Sequence, residues 1–465
     1  MLVDIGVDSF RPDIHYLEVS KLVKISSFVT VYDNDQDHLA LYHSIKLLPV
    51  FVEKSQSNFI KSLQCGVDEN LLTQEEKNIV DDLIKIGFIA NQSVEECDLL
   101  EIRQHLKPDL SVMYLILTDK CNLKCKYCFI EAGFSEDYQC KDMEWEVAQK
   151  ALDYFSKNRN HNLECQVWFY GGEPFINSKL LFKCLDYLKE NDPEVNQMII
   201  SNGTLITKEI AFKLKDYPKL QISVSLDGPK EINDQMRIDK NGHGSYHRII
   251  HGIENLKAAG LRFGVSCTLG EHNVDQVMSI AEWIKDYIKT PHIGMNLMVD
   301  TPRQFVDEDY ISRASKGLID FFDKYRNEEV YESRILRKVT AFVKCNPRWH
   351  DCAACGKQIV IAPDGQIGIC HEGLGEKKFF IGDIHKDFDF YASLQIQEWA
   401  SRSPANMLEC RDCAALGTCG GGCPYGAMLR YGSMWDVDKR FCVHSKETLE
   451  WLIWDLYDKM MSRLY

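Results

Sequence analysis

A chain of 465 residues exceeds what one hydrophobic core ordinarily organises, so two or three domains are expected. Hydrophobic residues at 45% and charged residues at 26% exclude wholesale disorder and collagen-like or coiled-coil chains. Lys plus Arg number 54 against 69 for Asp plus Glu, and the net charge of -15 offers nucleic acid no basic footprint.

The opening MLVDIGVDSFRPD is too acidic and too interrupted for a signal peptide, and no apolar run of about eighteen residues follows, so a cytoplasmic protein is expected. In that compartment 18 cysteines point to metal or redox chemistry rather than to disulfides. Within residues 21–53, VKISSFVTVY, HLALYHSI and LPVFVE read as three strands, since β-branched and aromatic residues dominate and polar turns separate them. Helical patterns follow. TQEEKNIVDDLIKIG has a capping box in Thr73 and Glu76, apolar residues at 79, 80, 83, 84 and 86, and a stop at Gly87. Residues 1–105 therefore read as a small α+β domain.

From 112 to about 300, short apolar strands alternate with helices: VMYLILT, QVWFYGG, QMIISNG, QISVSLDG, RFGVSCTL and HIGMNLMV, with helices at 143–156, 178–189, 207–216, 245–259 and 273–288. Such alternation predicts parallel βαβ units, in an open doubly wound sheet or a barrel, and a domain over 106–300. Residues 304–344 look purely helical and form a bridge within 301–350. Residues 351–465 contain a Cys- and Gly-rich stretch with little periodicity, as where metal ligation replaces an apolar core, and close with the amphipathic helix ETLEWLIWDLYDKMMSRL.

Directly after VMYLILT stands Cys121-Asn-Leu-Lys-Cys125-Lys-Tyr-Cys128. Three thiolates on so short a loop can hold three corners of a [4Fe-4S] cube and leave one iron without a protein ligand. A structural zinc loop would need a fourth Cys or His, and none is close in sequence. The C-x3-C-x2-C spacing, with Tyr127 before the last cysteine, resembles the signature of the radical S-adenosylmethionine (SAM) superfamily. That resemblance implies a partial (β/α)6 barrel in which SAM binds the open iron. Electron transfer into its sulfonium then gives a 5'-deoxyadenosyl radical that removes a hydrogen atom from an unactivated carbon. Gly171-Gly172-Glu173-Pro174 resembles the family's GGE motif, where backbone meets the methionine amino group of SAM. By the same resemblance Ser225 and Arg237 contact the SAM ribose and carboxylate, and Asn202 joins them. Ordinary turn chemistry would account for SNG and for Asp227 in SLDGP equally well.

A second cysteine field runs Cys352-x2-Cys355-x9-Gly365-x4-Cys370, then Cys410-x2-Cys413-x5-Cys419-x3-Cys423, then Cys442. This string resembles the SPASM domain of peptide-modifying radical SAM enzymes. The resemblance implies two auxiliary [4Fe-4S] clusters, three in all. Cys355, Cys370 and Cys423, with Cys352 or Cys345, would hold one; Cys410, Cys413, Cys419 and Cys442 would hold the other. Zinc ribbons remain the alternative for these pairs. The other cysteines include several on apolar faces, where a free thiol behaves as a small hydrophobe.

The order β-β-β then helices over 1–105 is similar to the winged, leader-binding domain of peptide maturases, which can add a leader as a further strand. Sulfatase maturases of the family often carry a catalytic aspartate after the cysteine of G-x4-C; here His371 stands there, and His371 or Glu372 is a base or a supporting group. The function implied is thus a radical SAM oxidoreductase that installs a Cys-to-carbon thioether crosslink in a ribosomally made precursor peptide, served by a flavodoxin or ferredoxin-type electron donor. Carbon-carbon crosslinking, formylglycine formation on sulfatases and, outside enzymes, an iron-sulfur electron-transfer protein are the alternatives.

Overall fold

The fold is described from a computed structural model covering residues 22–34, 37–89, 92–328 and 330–464. The opening segment expected not to be a signal peptide lies outside these residues.

The N-terminal unit pairs β1 (Leu22–Val23) with β5 (Val67–Asp68) beside a three-stranded antiparallel sheet of β2 (Val29–Asp33), β3 (His38–His43) and β4 (Leu48–Glu53). The predicted capping box is present: Thr73 Oγ1 accepts from the Glu76 amide at 3.3 Å, and Glu76 accepts from the Thr73 amide at 2.8 Å. β3 is buried on both faces. Leu39 and Leu41 point into the unit's own core, whereas Ala40 and Tyr42 join a cluster with Phe342, Leu449, Leu452 and Ile453.

The central sheet has ten strands: β6 (Val112–Thr118), β7 (Gln166–Gly171), β8 (Asn196–Ser201), β9 (Leu220–Ser225), β10 (Gly264–Leu269), β11 (His292–Leu297), β12 (Tyr331–Glu332), β13 (Gln358–Ile361), β14 (Gln366–Gly368) and β15 (Phe380–Asp383). From β6 to β11 all pairings are parallel and strand order follows chain order. With right-handed crossovers that order puts the connecting helices on one face, as in a barrel sequence and unlike a doubly wound sheet, whose order reverses midway. Burial agrees: in β7, Val167 and Phe169 are buried while Trp168 and Tyr170 are only partly covered, and β8 and β10 alternate likewise. The second face is the open one.

Two departures from the sequence reading concern the sheet edges. The stretch between the helices Tyr310–Tyr325 and Ser333–Val343 is not purely helical, because β12 pairs with β11. The Cys-rich segment also supplies β13, parallel to β6, and β14 and β15 beyond it. β13 and β14 form a hairpin around Pro363-Asp364-Gly365, with Gly365 at φ +84°. That turn chemistry was visible in IVIAPDGQIGI. Edge β6 thereby becomes central, which is why VMYLILT is apolar almost throughout and buried on both faces.

Candidate active site

The cysteine loop leaves the C-terminal end of β6, where parallel α/β sheets place their sites. Its backbone is zipped to the segment after β9: the Lys124 amide donates to the Ile238 carbonyl at 2.7 Å and that of Lys126 to Met236 at 3.0 Å. Cys121, Cys125 and Cys128 are all partly exposed. Burial pushes the Cys121 and Cys125 thiols up to about 12, and Arg237 acts against this at Cys125. As free thiols they are protonated at neutral pH, and binding iron would displace those protons.

Gly171 and Gly172 serve the loop directly. Gly171 has φ +144°, and a Cβ there would stand 2.0 Å from the Thr118 carbonyl oxygen; one on Gly172 would stand 2.2 Å from that of Lys120. The turn thus presses against the backbone that enters the cysteine loop, with the Gly172 amide donating to Thr118 and that of Glu173 to Lys120, each at 2.9 Å. Pro174 opens the following short turn. Glu173 is fully buried, and its carboxylate accepts from the Asn202 amide at 2.7 Å, Ser201 Oγ at 2.9 Å and the Phe175 amide at 3.1 Å. Burial raises it to about 7. Its geometry makes it the post that fixes Asn202, whose Nδ2 reaches Asn122 Oδ1 at 2.9 Å and Cys121 Sγ at 3.8 Å.

Asp227 is the residue that sequence reasoning undervalued. Fully buried, it accepts from Tyr127 Oη at 2.5 Å and the Thr268 amide at 3.0 Å, and pairs with Arg237 at 3.1 Å. The Arg237 guanidinium lies 5.4 Å from the Tyr127 ring centroid, and its buried Nε has no partner. Ser225, at the end of β9, is partly buried on the open face.

In the second cysteine field burial raises the thiols, and neighbouring charges add to the rise. After burial, the charge raising Cys352 most is that of Cys355; Cys370 responds to Glu372 and Cys352, and Cys423 to Glu372, Asp438, Cys370 and Cys352. Cys442 responds instead to Cys419, Cys410 and Cys413. Cys345 stands apart, its thiol directed at the Leu47 and Phe342 carbonyls. Cys419 and Cys423 are joined by Gly420-Gly421-Gly422, all three with positive φ, at +81°, +86° and +69°.

Between the two fields stands an aromatic wall. His371 stacks on Tyr114 at 4.3 Å and meets Tyr170 at 5.4 Å and Phe129 at 5.8 Å edge-on; its Nδ1 is buried without a partner. Phe129 follows Cys128 and His371 follows Cys370, so the wall touches both cysteine fields.

Residues 115–298, which hold the first loop and the five strand ends after it, match the Radical SAM superfamily. The chain carries a radical SAM domain. It is 24% identical, over 96% of both chains, to the radical SAM cyclopropyl synthase TigE of Paramaledivibacter caminithermalis. Among solved structures it resembles anSMEcpe with bound AdoMet (TM-score 0.65, 21% identity, covering 76% of this chain and 95% of that one). It also resembles Streptococcus suis SuiB bound to precursor peptide SuiA (TM-score 0.54, 15% identity, 90% of this chain and 99% of that one). At these identities the two structures establish the fold.

The radical SAM superfamily uses a [4Fe-4S] cluster with SAM, and the donor set fits both. Three partly exposed thiols share one loop, and Arg237 Nε is a buried donor with no partner in the protein, open to a bound polar group. Among the described residues, no three His, Cys, Asp or Glu side chains gather as a single metal ion would need.

Proposed function

We propose that this radical SAM enzyme is a peptide maturase that removes a hydrogen atom from one residue of a ribosomally made precursor and closes a crosslink there. The observation that carries this reading is the aromatic wall of Tyr114, Tyr170, Phe129 and His371, which joins the loop of Cys121, Cys125 and Cys128 to the field beginning at Cys352. A substrate segment against that wall meets both fields. Cluster and SAM would supply the hydrogen-abstracting radical. Cys121, Cys125 and Cys128 would hold the cluster, while Arg237, Ser225 and Asn202 would orient SAM.

Cys352, Cys355, Cys370 and Cys423 would hold one auxiliary cluster and Cys410, Cys413, Cys419 and Cys442 the other, as in a SPASM domain. After the hydrogen atom is removed, closing the crosslink releases a proton and an electron; His371 or Glu372 would take up the proton, and a cluster held by the second cysteine field would accept the electron. The leader would add to the three-stranded sheet of the N-terminal unit, in the cytoplasm, with electrons from a flavodoxin or ferredoxin-type donor. Among the described residues no helix is long and apolar enough to cross a membrane.

A thioether from a Cys sulfur to a carbon is the first form of the crosslink. A carbon-carbon bond is the second, favoured by the relative named as a cyclopropyl synthase that matches over 96% of the chain. Co-expression with a precursor peptide encoded beside the enzyme tests the reading by mass spectrometry. Loss of two hydrogens per modification is expected, and an unchanged mass overturns it. Iodoacetamide then separates the forms, since a thioether consumes a cysteine thiol and a carbon-carbon bond spares it. Replacing Cys121, Cys125 and Cys128 with alanine is expected to abolish deoxyadenosine formation while iron persists in the second field; SAM cleavage by that variant would overturn the roles assigned.

A further inference from the structure

The open face of the parallel sheet changes character from strand to strand. On β6 and β7 it carries rings: Tyr114 lies 5.0 Å from Trp168 and 5.9 Å from Tyr170 between ring centroids. Towards the C-terminal ends of β9, β10 and β11, the residues that alternate with buried ones are small or polar: Ser223 and Ser225, Ser266 and Thr268, Gly294 and Asn296. Asn296 is exposed there, one residue before the end of β11, on the side where parallel sheets place their sites. Ser266 is the register partner of Ser225, the residue read above as orienting SAM.

Asn296 is held in one orientation. Arg334 Nη2 donates to its Oδ1 at 3.1 Å, and its Nδ2 donates to Ser266 Oγ at 3.0 Å. A guanidinium has only donors, so the amide oxygen must face Arg334 and the amide nitrogen the serine. Arg334 is itself fixed. It is buried, its Nε donates to the Met295 carbonyl at 3.1 Å, and the buried Glu332 carboxylate accepts from the amides of Arg334 at 2.9 Å, Ile335 at 2.7 Å and Met295 at 3.1 Å. The two side-chain bonds of Asn296 use one hydrogen and one lone pair of its amide and leave one of each on the open face. An extended peptide presents the N–H and C=O of one residue on the same side, a donor and an acceptor that match what Asn296 has left.

We infer that Asn296 is a substrate-binding residue that holds the main chain of the precursor beside the residue attacked, with Arg334 as its positioning residue. The inference rests on the reading of this enzyme as a peptide maturase and adds to it a contact for the segment that is modified. The competing role is structural: Asn296 ties β10 to the helix Ser333–Val343 and meets no substrate. Asn296→Asp separates the two. A carboxylate still accepts from Arg334 and from the Ser266 hydroxyl, so the tie persists, but it has no hydrogen to give a peptide carbonyl.

The test uses the full-length, reconstituted enzyme and the precursor peptide encoded beside it. Rates of formation of the modified peptide, unfolding temperature and SAM affinity by equilibrium dialysis are compared for the parent, N296D and Asn296→Ala. Both variants are expected to lower kcat/KM for the precursor at least about fivefold, because a peptide group is left unpaired in the site, and to keep SAM affinity within about twofold. A smaller fall in N296D overturns the inference whatever N296A does, since the tie to Arg334 and Ser266 would then suffice. A larger loss of SAM affinity in N296D overturns it as well, because the free donor and acceptor would belong to SAM. Should one variant not fold, the other decides by the same criteria, and unfolding of both shows the structural role. A parent enzyme that leaves the mass of the precursor unchanged would defeat the peptide-maturase reading, an outcome distinct from parental kinetics in N296D.

Discussion

Asp227 holds three groups at once: the Tyr127 hydroxyl, the Thr268 amide and the Arg237 guanidinium. Tyr127 belongs to the cysteine loop, Thr268 to β10 and Arg237 to the segment zipped to the loop. One carboxylate therefore fixes the loop to the strand ends. Removing it leaves Arg237 buried without its ion-pair partner, a loss of about 3–5 kcal/mol. Asp227→Ala is expected to lower unfolding stability by that order and to weaken SAM binding by equilibrium dialysis, with Asp227→Asn losing less of both. Unaltered stability and SAM affinity in D227A would show that the loop is held some other way. Glu173 is the parallel case at β8, where three hydrogen bonds to one buried carboxylate fix Asn202 beside Cys121.

At the scale of elements, the two cysteine fields meet through glycine. A Cβ on Gly133, in the turn after Cys128, would lie 3.0 Å from Gly375 Cα and 3.1 Å from the Glu376 amide nitrogen, both backbone atoms of the loop after Cys370. Neither side has a flexible side chain that can yield. Gly133→Ala is expected to cost about 1–3 kcal/mol by overpacking and to part the aromatic wall, since Phe129 and His371 ride on these loops. Chemical denaturation and peptide turnover check this together; a variant with parental stability and turnover would show that the loops slide freely. The β13–β14 hairpin adds the other connection, hydrogen-bonding the segment between Cys355 and Cys370 to β6, whose C-terminal end starts the first cysteine loop.

Across the whole molecule, the N-terminal unit is seated on the last helix, Lys439–Leu464. Phe51 of β4 packs on Tyr457 at 5.1 Å and on Trp454 at 6.3 Å between ring centroids, and His38 Nδ1 is 2.9 Å from Tyr457 Oη. The same helix carries Cys442 near its start, so the proposed leader-binding unit and a cysteine set share one rigid element. Replacing Trp454 and Tyr457 with alanine is expected to remove about 2–4 kcal/mol of packing and to raise hydrogen exchange in β3 and β4 while β6 to β11 stay protected. Exchange unchanged in β3 and β4 would mean that the unit is held elsewhere.

The sequence by itself determined the features that depend on neighbours along the chain. The capping box at Thr73, the alternation of strands and helices over 112–300 and the two cysteine spacings could be read because helix caps, strand periods and loop ligation act over a few residues. Tertiary structure alone decided how distant segments combine. It gave Gly171 and Gly172 the work of pressing on the cysteine loop, made Asp227 a buried ion-pair partner, and sent β13 to pair with β6 more than two hundred residues before it. Local patterns cannot encode such pairings, because burial and counter-charge are properties of what surrounds a residue in space.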